Sequence, residues 1–99
     1  MVYEIVQIEV KDGHEADFEA GAREAVALFQ RARGCRSMRI DRSVEQPRHY
    51  MLVVEWDAIE DHMIHFRESP DFLAWRALVG PHFAAPPQME HMNTVVPGF

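Results

Sequence analysis

The sequence predicts a small α+β domain of the split β-α-β, or ferredoxin-like, type, in which helices pack on one face of an antiparallel sheet. Apolar residues alternate along positions 2–10 and 49–56, as in strands, and recur every three or four positions between 14 and 33, as in a helix. The predicted elements follow the order β-α-β-β-α(α)-β, which is the order of that fold. We expect residues 1–99 to form a single domain, because the length suits one core.

The first strand is predicted over Val2–Val10. One face carries the apolar residues Val2, Val6, Ile8 and Val10, and the other carries Tyr3 and Ile5. Asp12 and Glu15 then have the spacing of a capping box, which predicts that a helix begins here and runs to about Arg33. The apolar stripe of this helix consists of Phe18, Ala22, Ala25, Phe29 and Ala32. Gly34 is placed to end it in a left-handed conformation.

Two further strands are predicted over Cys35–Val44 and His49–Trp56, joined by a turn at Glu45–Pro47. The second of them is apolar on both faces, which requires another layer beneath the sheet. One of its faces carries Tyr50, Leu52, Val54 and Trp56, and the other carries Met51 and Val53.

The rest of the chain is predicted to form two helices and a closing strand. Asp57–Glu68 opens with a second capping-box spacing and is predicted as a helix. Ser69 caps the next helix, Asp71–Val79, with Pro70 at its first position. The closing strand is predicted over Gln88–Val96.

One face of the predicted sheet has no helix to cover it. It retains the apolar residues Tyr3, Ile5, Met51 and Val53. A second copy of the chain is the simplest cover, so we expect a homodimer packed sheet to sheet as a dimeric α/β barrel.

Composition and charge exclude several classes of partner and place the chain in the cytoplasm. The net charge is −6, and the ten basic residues form no run, so nucleic-acid binding is not expected. No apolar stretch approaches the roughly 20 residues of a membrane span. Glu4 and Glu9 interrupt the N-terminal apolar pattern, which is therefore not a signal peptide. The single cysteine, Cys35, fits a reducing cytoplasm and is interpreted as structural.

No cofactor and no bound metal are expected. The chain has no glycine-rich phosphate loop after a strand and no cysteine cluster. His62 and His65 are three residues apart on a predicted helix and could share a metal, but no third ligand lies nearby in the sequence. The roles of His65, His82 and His91 stay open.

The candidate site lies where the third strand feeds the two later helices. His62 is the leading candidate for a general base, because an unperturbed histidine has a pKa near 6.5, close to the neutral pH at which an enzyme works. A core histidine with a backbone partner is the alternative. Arg67 and Arg76 could hold an anionic or phenolate oxygen, unless they pair with the nearby acids Glu68 and Asp71.

Aromatic residues surround these polar groups. Trp56 at the strand end and Phe66 are expected to stack on substrate rings, and Phe72 and Trp75 to complete the wall, although core packing is the ordinary role of such side chains. We expect Trp56, His62, Phe66 and Arg76 to converge on one cavity between sheet and helices.

The succession of a strand-end Trp56, a helix, the Ser69-Pro70 break, a second helix and a closing strand resembles the antibiotic biosynthesis monooxygenase family of small dimeric α/β-barrel proteins. The resemblance implies O₂-dependent oxidation of polycyclic phenols or quinols without metal or flavin. In that branch an Asn, a Trp, a Tyr and an Arg line the cavity. Trp56 and Arg76 match the Trp and the Arg, His62 stands where the Tyr would be, and Leu52 replaces the Asn.

Another branch of the family degrades haem with an Asn, a Trp and a His. The positions of that Trp and His correspond to Phe66 and Arg76, so haem is not expected. Two functions follow from the sequence. One is a cofactor-independent monooxygenase of an electron-rich aromatic substrate, with catalytic His62, Arg76 and Trp56. The other is a non-catalytic dimer that binds a small hydrophobic ligand.

Overall fold

The computed structural model describes residues 1–99 and contains one four-stranded antiparallel sheet with helices on one face. The strands are β1 (Val2–Glu9), β2 (Cys35–Arg42), β3 (His49–Trp56) and β4 (Gln88–Met92), in the spatial order β2-β3-β1-β4. The helical elements are α1 (Glu15–Gln30), a π-helix (Asp61–Phe66), α2 (Pro70–Val79) and a 3₁₀ turn (Gly80–His82). The predicted α+β, ferredoxin-like architecture is confirmed.

The core lies between the helices and the inward face of the two central strands. Alternation along β1 and β3 sends every second side chain toward α1 and α2, and antiparallel pairing sets Val6 opposite Leu52. The largest fully buried side chains are Trp56, Phe18, Phe29, Leu52, Val10, Val54 and Val79. The predicted apolar stripe of α1 is buried at Phe18, Ala22, Ala25 and Phe29. Its last predicted member, Ala32, is only partly buried, and Leu28, which was not predicted, is buried as well.

The start of α1 differs from the prediction. His14 occupies the N-cap position without a side-chain cap bond, so the predicted Asp12 cap is wrong. Gly13 turns the chain with φ +82°, which leaves Asp12 outside the first helical turn. Glu15 does reach back, and its Oε1 accepts a hydrogen bond from the Gly13 amide at 3.1 Å. The helix ends at Gln30, and Gly34 is left-handed with φ +73° beyond that end.

The helix predicted over Asp57–Glu68 is replaced by a shorter π-helix. Asp57 does not cap it, because Glu60 holds the N-cap position and the Asp57 carboxylate accepts a hydrogen bond from Arg36 Nε at 2.6 Å. The buried Asp61 begins the π-helix and lies directly against Gly34, where a Cβ would overlap its carboxylate. Gly34 therefore lets the π-helix approach the start of β2 closely. Ser69 caps α2 as predicted, and its Oγ accepts from the Phe72 amide at 3.4 Å.

The outward face of the sheet has no helix over it. Tyr3, Ile5 and Met51 are half-buried there, and Val53 is shielded by its sheet neighbours. The strands β2 and β4 stop at Arg42 and Met92, earlier than predicted. None of the helices is both long and apolar enough to cross a membrane.

Candidate functional site

A buried carboxylate stands at an inward position of β1. Glu4 shares the core-facing side of the strand with Val6 and Ile8, and only 5% of its surface is exposed. It pairs across the sheet with Val54 of β3 and with His91 of β4. The inner face of the sheet thus brings an acid and a histidine side by side.

Two ring nitrogens lie against one oxygen of this carboxylate. Trp56 Nε1 donates a hydrogen bond to Glu4 Oε1 at 3.0 Å. His62 Nε2 lies 3.3 Å from the same oxygen. The rings of Trp56 and His62 stack at a centroid distance of 5.3 Å with 13° between their planes. The stack holds the imidazole edge toward Glu4.

The other nitrogen of His62 continues the polar chain. His62 Nδ1 and His91 Nε2 are hydrogen-bonded at 2.8 Å. The tautomer depends on Glu4: an ionised Glu4 favours a proton on the facing Nε2 of His62, whereas a protonated Glu4 can donate to Nε2, and Nδ1 then donates to His91. His91 is partly exposed, whereas His62 and Glu4 are buried. The three residues form a continuous polar path from the surface to the carboxylate.

Burial sets the protonation states of this path. Desolvation raises the pKa of Glu4 to about 7, although the Trp56 hydrogen bond and the Arg67 charge oppose the rise. Desolvation lowers the pKa of His62 to about 4, and the charges of His91 and Arg67 act in the same direction. Desolvation and Arg67 also lower the pKa of His91. At neutral pH the imidazoles are uncharged, and Glu4 is the group that titrates.

The π-helix positions His62. Its wide turn is closed by a hydrogen bond from the Arg67 amide to the His62 carbonyl at 3.0 Å. His62 and Phe66, four residues apart, both point inward and are buried. Single π turns are often found at functional sites because they redirect one side chain.

A cleft of about 790 Å³ opens between the inner sheet face, the π-helix and α2. Of the residues predicted for the site, it is lined by Leu52, His62, Phe72, Trp75 and Arg76. Trp56 and Phe66 do not line it. They lie in the core behind His62, and their rings are 5.5 Å apart. Trp56 reaches the site through its hydrogen bond to Glu4.

Two arginines flank one aromatic ring at the cleft. The guanidinium carbons of Arg67 and Arg76 lie 5.7 and 5.9 Å from the centroid of Phe72. Asp71 does not neutralise them, because its carboxylate is held by Arg31 at 2.7 and 2.8 Å. Both arginines remain exposed.

Glu4 and His91 were not among the site residues predicted from the sequence. The sequence does distinguish Glu4, because it is the only charged residue on the face of the predicted first strand that also carries Val2, Val6, Ile8 and Val10. His91 could be placed only with the register of β4 against β1, which the sequence does not supply. His65 is exposed, and His82 lies elsewhere, with its Nδ1 3.1 Å from that of His14.

The polar path does not form a metal-binding group. Glu4 and His91 contact opposite nitrogens of His62, so the three side chains lie in a row and do not converge on a common point. No group of three histidine, cysteine or acidic side chains is arranged to hold a metal ion.

Comparisons with known proteins agree with this architecture. A family model described as antibiotic biosynthesis monooxygenase matches residues 1–78. The uncharacterized protein YczJ of Bacillus subtilis is 32% identical over 95 residues, which cover 96% of this chain and 100% of YczJ. A crystal structure of a Bordetella bronchiseptica protein named for the same family is 50% identical, with a TM-score of 0.93 over 96% of this chain and 97% of that one.

A more distant structure shares the fold alone. SnoaB, a cofactor-independent oxygenase from Streptomyces nogalater, is 17% identical, with a TM-score of 0.83 over 96% of this chain and 93% of that one. The family model covers most of the chain and the B. subtilis relative nearly all of it. The chain therefore belongs to the antibiotic biosynthesis monooxygenase family.

Proposed function

We propose that this protein is a cofactor-independent monooxygenase of an electron-rich aromatic compound, such as a quinol or an anthrone. The observation that carries the proposal is a buried carboxylate with a pKa of about 7 beside an aromatic-lined cleft. Membership of the family supports it. The cleft, at about 790 Å³, has the volume of a site for a ring system of several fused rings.

Glu4 suits the role of general base better than His62. Both ring nitrogens of His62 are engaged, one beside Glu4 and the other with His91. Glu4 uses only Oε1 for its contacts, and no fully buried side-chain oxygen in the chain lacks a partner. Oε2 must therefore reach the surface of the cleft, where a substrate proton would be within its range. His62 and His91 then carry the proton outward.

The proposed reaction balances without a cofactor. With an anthrone, Glu4 removes one proton from the ring methylene carbon, and the resulting carbanion is oxidised by O₂ to a peroxide bonded to that carbon. Loss of the second proton and cleavage of the O–O bond give the carbonyl product and water. The substrate supplies all the electrons, one oxygen atom enters the quinone and the other leaves as water. Arg67 and Arg76 add positive charge to the same cleft, which favours the binding of an anionic group.

The direct test is oxygen uptake with anthrone. The purified protein should consume one O₂ per anthraquinone formed, at the same rate with and without a chelator. His62→Ala should lower the rate by at least about tenfold, because it breaks the proton path, and a positioned proton-transfer group typically contributes about 10²–10⁴-fold. His65→Ala is the matched control, since His65 lies exposed on the same π-helix and should leave the rate unchanged.

Non-catalytic binding of a small hydrophobic ligand is the second candidate. Leu52 favours it, because this apolar side chain lines the cleft at the position where the oxygenase branch is expected to carry an Asn. Tight binding of anthrone or anthraquinone without any enzyme-dependent oxygen uptake would establish this function and reject the oxygenase.

We also propose a homodimer that packs sheet to sheet as a dimeric α/β barrel. The uncovered face has an apolar centre at Tyr3, Ile5 and Met51, with the Arg39–Asp41 ion pair at its rim. An apolar centre with a polar rim is the usual anatomy of an interface. Sedimentation at micromolar concentration should show a dimer, and Ile5→Asp should shift it toward monomer. Val44→Asp, in an exposed loop, should not.

A further inference from the structure

The arginines of the chain divide into two groups by their ion pairing. Six of the nine lie within ion-pair distance of a carboxylate, namely Arg23, Arg31, Arg33, Arg36, Arg39 and Arg42. Arg48, Arg67 and Arg76 do not. Arg48 precedes β3 on the surface, but Arg67 and Arg76 both line the same cleft. In a chain with a net charge of −6, unpaired cations gathered at one place need an explanation.

The geometry keeps these two cations available. Each guanidinium lies within about 6 Å of the Phe72 ring, the range of a cation–π contact, which restrains the side chain without using up its N–H donors. The only side-chain bond of Arg67 is a weak one, from Nη1 to Met63 Sδ at 3.8 Å. Arg76 makes none. Two exposed guanidiniums beside one ring, neither paired with a carboxylate, form a positively charged site that an anion can bind.

We propose that the ligand of the cleft is an aromatic carboxylic acid, whose carboxylate is bound by Arg67 and Arg76 while its ring system extends over Phe72 toward Glu4. This rests on the proposed function and narrows its substrate class. A guanidinium presents a planar fork of donors that matches a carboxylate. The reacting carbon then lies at the Glu4 end of the cleft and the acid group at its arginine end.

Arg67 also couples the two ends of the cleft. Its charge lowers the pKa of both Glu4 and His62. When a bound carboxylate neutralises Arg67, these pKa values rise, so the protein takes up protons from solution. Binding of an acid near pH 7 should therefore be accompanied by proton uptake, which a simple surface ion pair at an isolated arginine would not cause.

The test compares two probes of nearly the same shape, anthraquinone-2-carboxylate and anthraquinone-2-carboxamide, of which only the first is charged. By calorimetry the wild type should bind the acid at least about tenfold more tightly than the amide, because hydrogen bonds between a guanidinium and a carboxylate are stronger than those to a neutral amide. Arg67→Gln and Arg76→Gln should each reduce this preference, and the double variant should abolish it. Arg48→Gln, the matched control, should keep it.

Titrations in buffers of different ionisation enthalpy should show that binding of the acid is accompanied by proton uptake. Arg67→Gln should abolish this uptake.

Equal affinity for acid and amide, a preference that survives the double substitution, or no binding of either probe would overturn the proposal. Its outcome is separable from that of the oxygenase proposal. Selective binding of the acid without oxygen uptake on the corresponding anthrone would reject the oxygenase alone. Rapid oxidation of neutral anthrones with no preference for acids would reject the aromatic-acid ligand alone.

Discussion

Two carboxylates at opposite ends of β3 accept hydrogen bonds from aromatic donors, yet their surroundings differ. Trp56 Nε1 donates to Glu4 at 3.0 Å, and the Tyr50 hydroxyl donates to Glu19 at 2.7 Å. Each acid also lines a cleft, of about 790 Å³ at Glu4 and about 250 Å³ at Glu19. The aromatic donor is therefore common to both ends and does not distinguish them.

The two acids differ in the charge of the other side chains that contact them. Glu19 is ion-paired with Arg42 at 3.1 Å and Arg23 at 3.5 Å, so its charge is compensated. Glu4 faces the imidazole of His62, which is neutral at pH 7. Burial with no cation in direct contact raises the pKa of Glu4 to about 7, and the more distant charge of Arg67 opposes the rise only in part. The comparison indicates that the Glu19 end of the sheet is structural, whereas the Glu4 end can exchange protons.

Removing each acid in turn should give the largest contrast. Glu4→Gln keeps the shape of the side chain and an acceptor for Trp56 but removes the base. It should lower the rate of anthrone oxidation by about 10²–10⁴-fold. Glu19→Gln should leave the rate within about twofold, because it acts in the other cleft. Initial rates of oxygen uptake for both variants measure this contrast. Similar losses in both variants would remove the assignment of Glu4 as the base.

The second-largest contrast between Glu4 and Glu19 should be in the pH dependence of stability. The pKa of Glu4 rises from 4.5 to about 7 on folding, so its protonated form contributes stability that is present below pH 4.5 and is lost as the pH rises through 7. His62 acts in the opposite sense. Its pKa falls from 6.5 to about 4, so its neutral form contributes stability that is present above pH 6.5 and is lost as the pH falls through 4. The two effects partly cancel in the wild type.

Glu4→Gln removes the first effect and leaves the second. The free energy of unfolding of Glu4→Gln minus that of the wild type should therefore increase between pH 4.5 and 7, by up to about 3 kcal/mol. Urea unfolding at four or five pH values in this window measures it. Glu19→Gln is the control, and its difference from the wild type should not rise in this way. A flat difference for Glu4→Gln would mean that the pKa of Glu4 does not rise on folding.

The same contrast shows what the sequence could and could not predict. Alternation and helical periodicity predicted the strands and α1, because they depend on which residues are apolar. The chemistry of the site depends on contacts across elements. Glu4 and His91 are 87 positions apart, and only the β1–β4 register brings them together. The π-helix could not be foreseen either, since the helical spacing of its apolar residues does not distinguish a π turn from an α turn.

Replacing the aromatic donor at each acid by Phe should have the smallest effect, a shift of the pH–rate profile at one acid and not at the other. The Trp56 hydrogen bond lowers the pKa of Glu4, so Trp56→Phe should raise that pKa further and move the pH–rate profile to higher pH. The wild-type rate should rise through about pH 7 as Glu4 becomes ionised. Tyr50→Phe removes the corresponding bond at Glu19 and should leave the profile in place.

The measurement is kcat/KM from pH 5.5 to 9 for the three proteins. Because Trp56 is fully buried, its loss also lowers stability, so each rate is divided by the fraction of folded protein measured at the same pH. A midpoint that stays fixed in Trp56→Phe would show that a group other than Glu4 controls the rate.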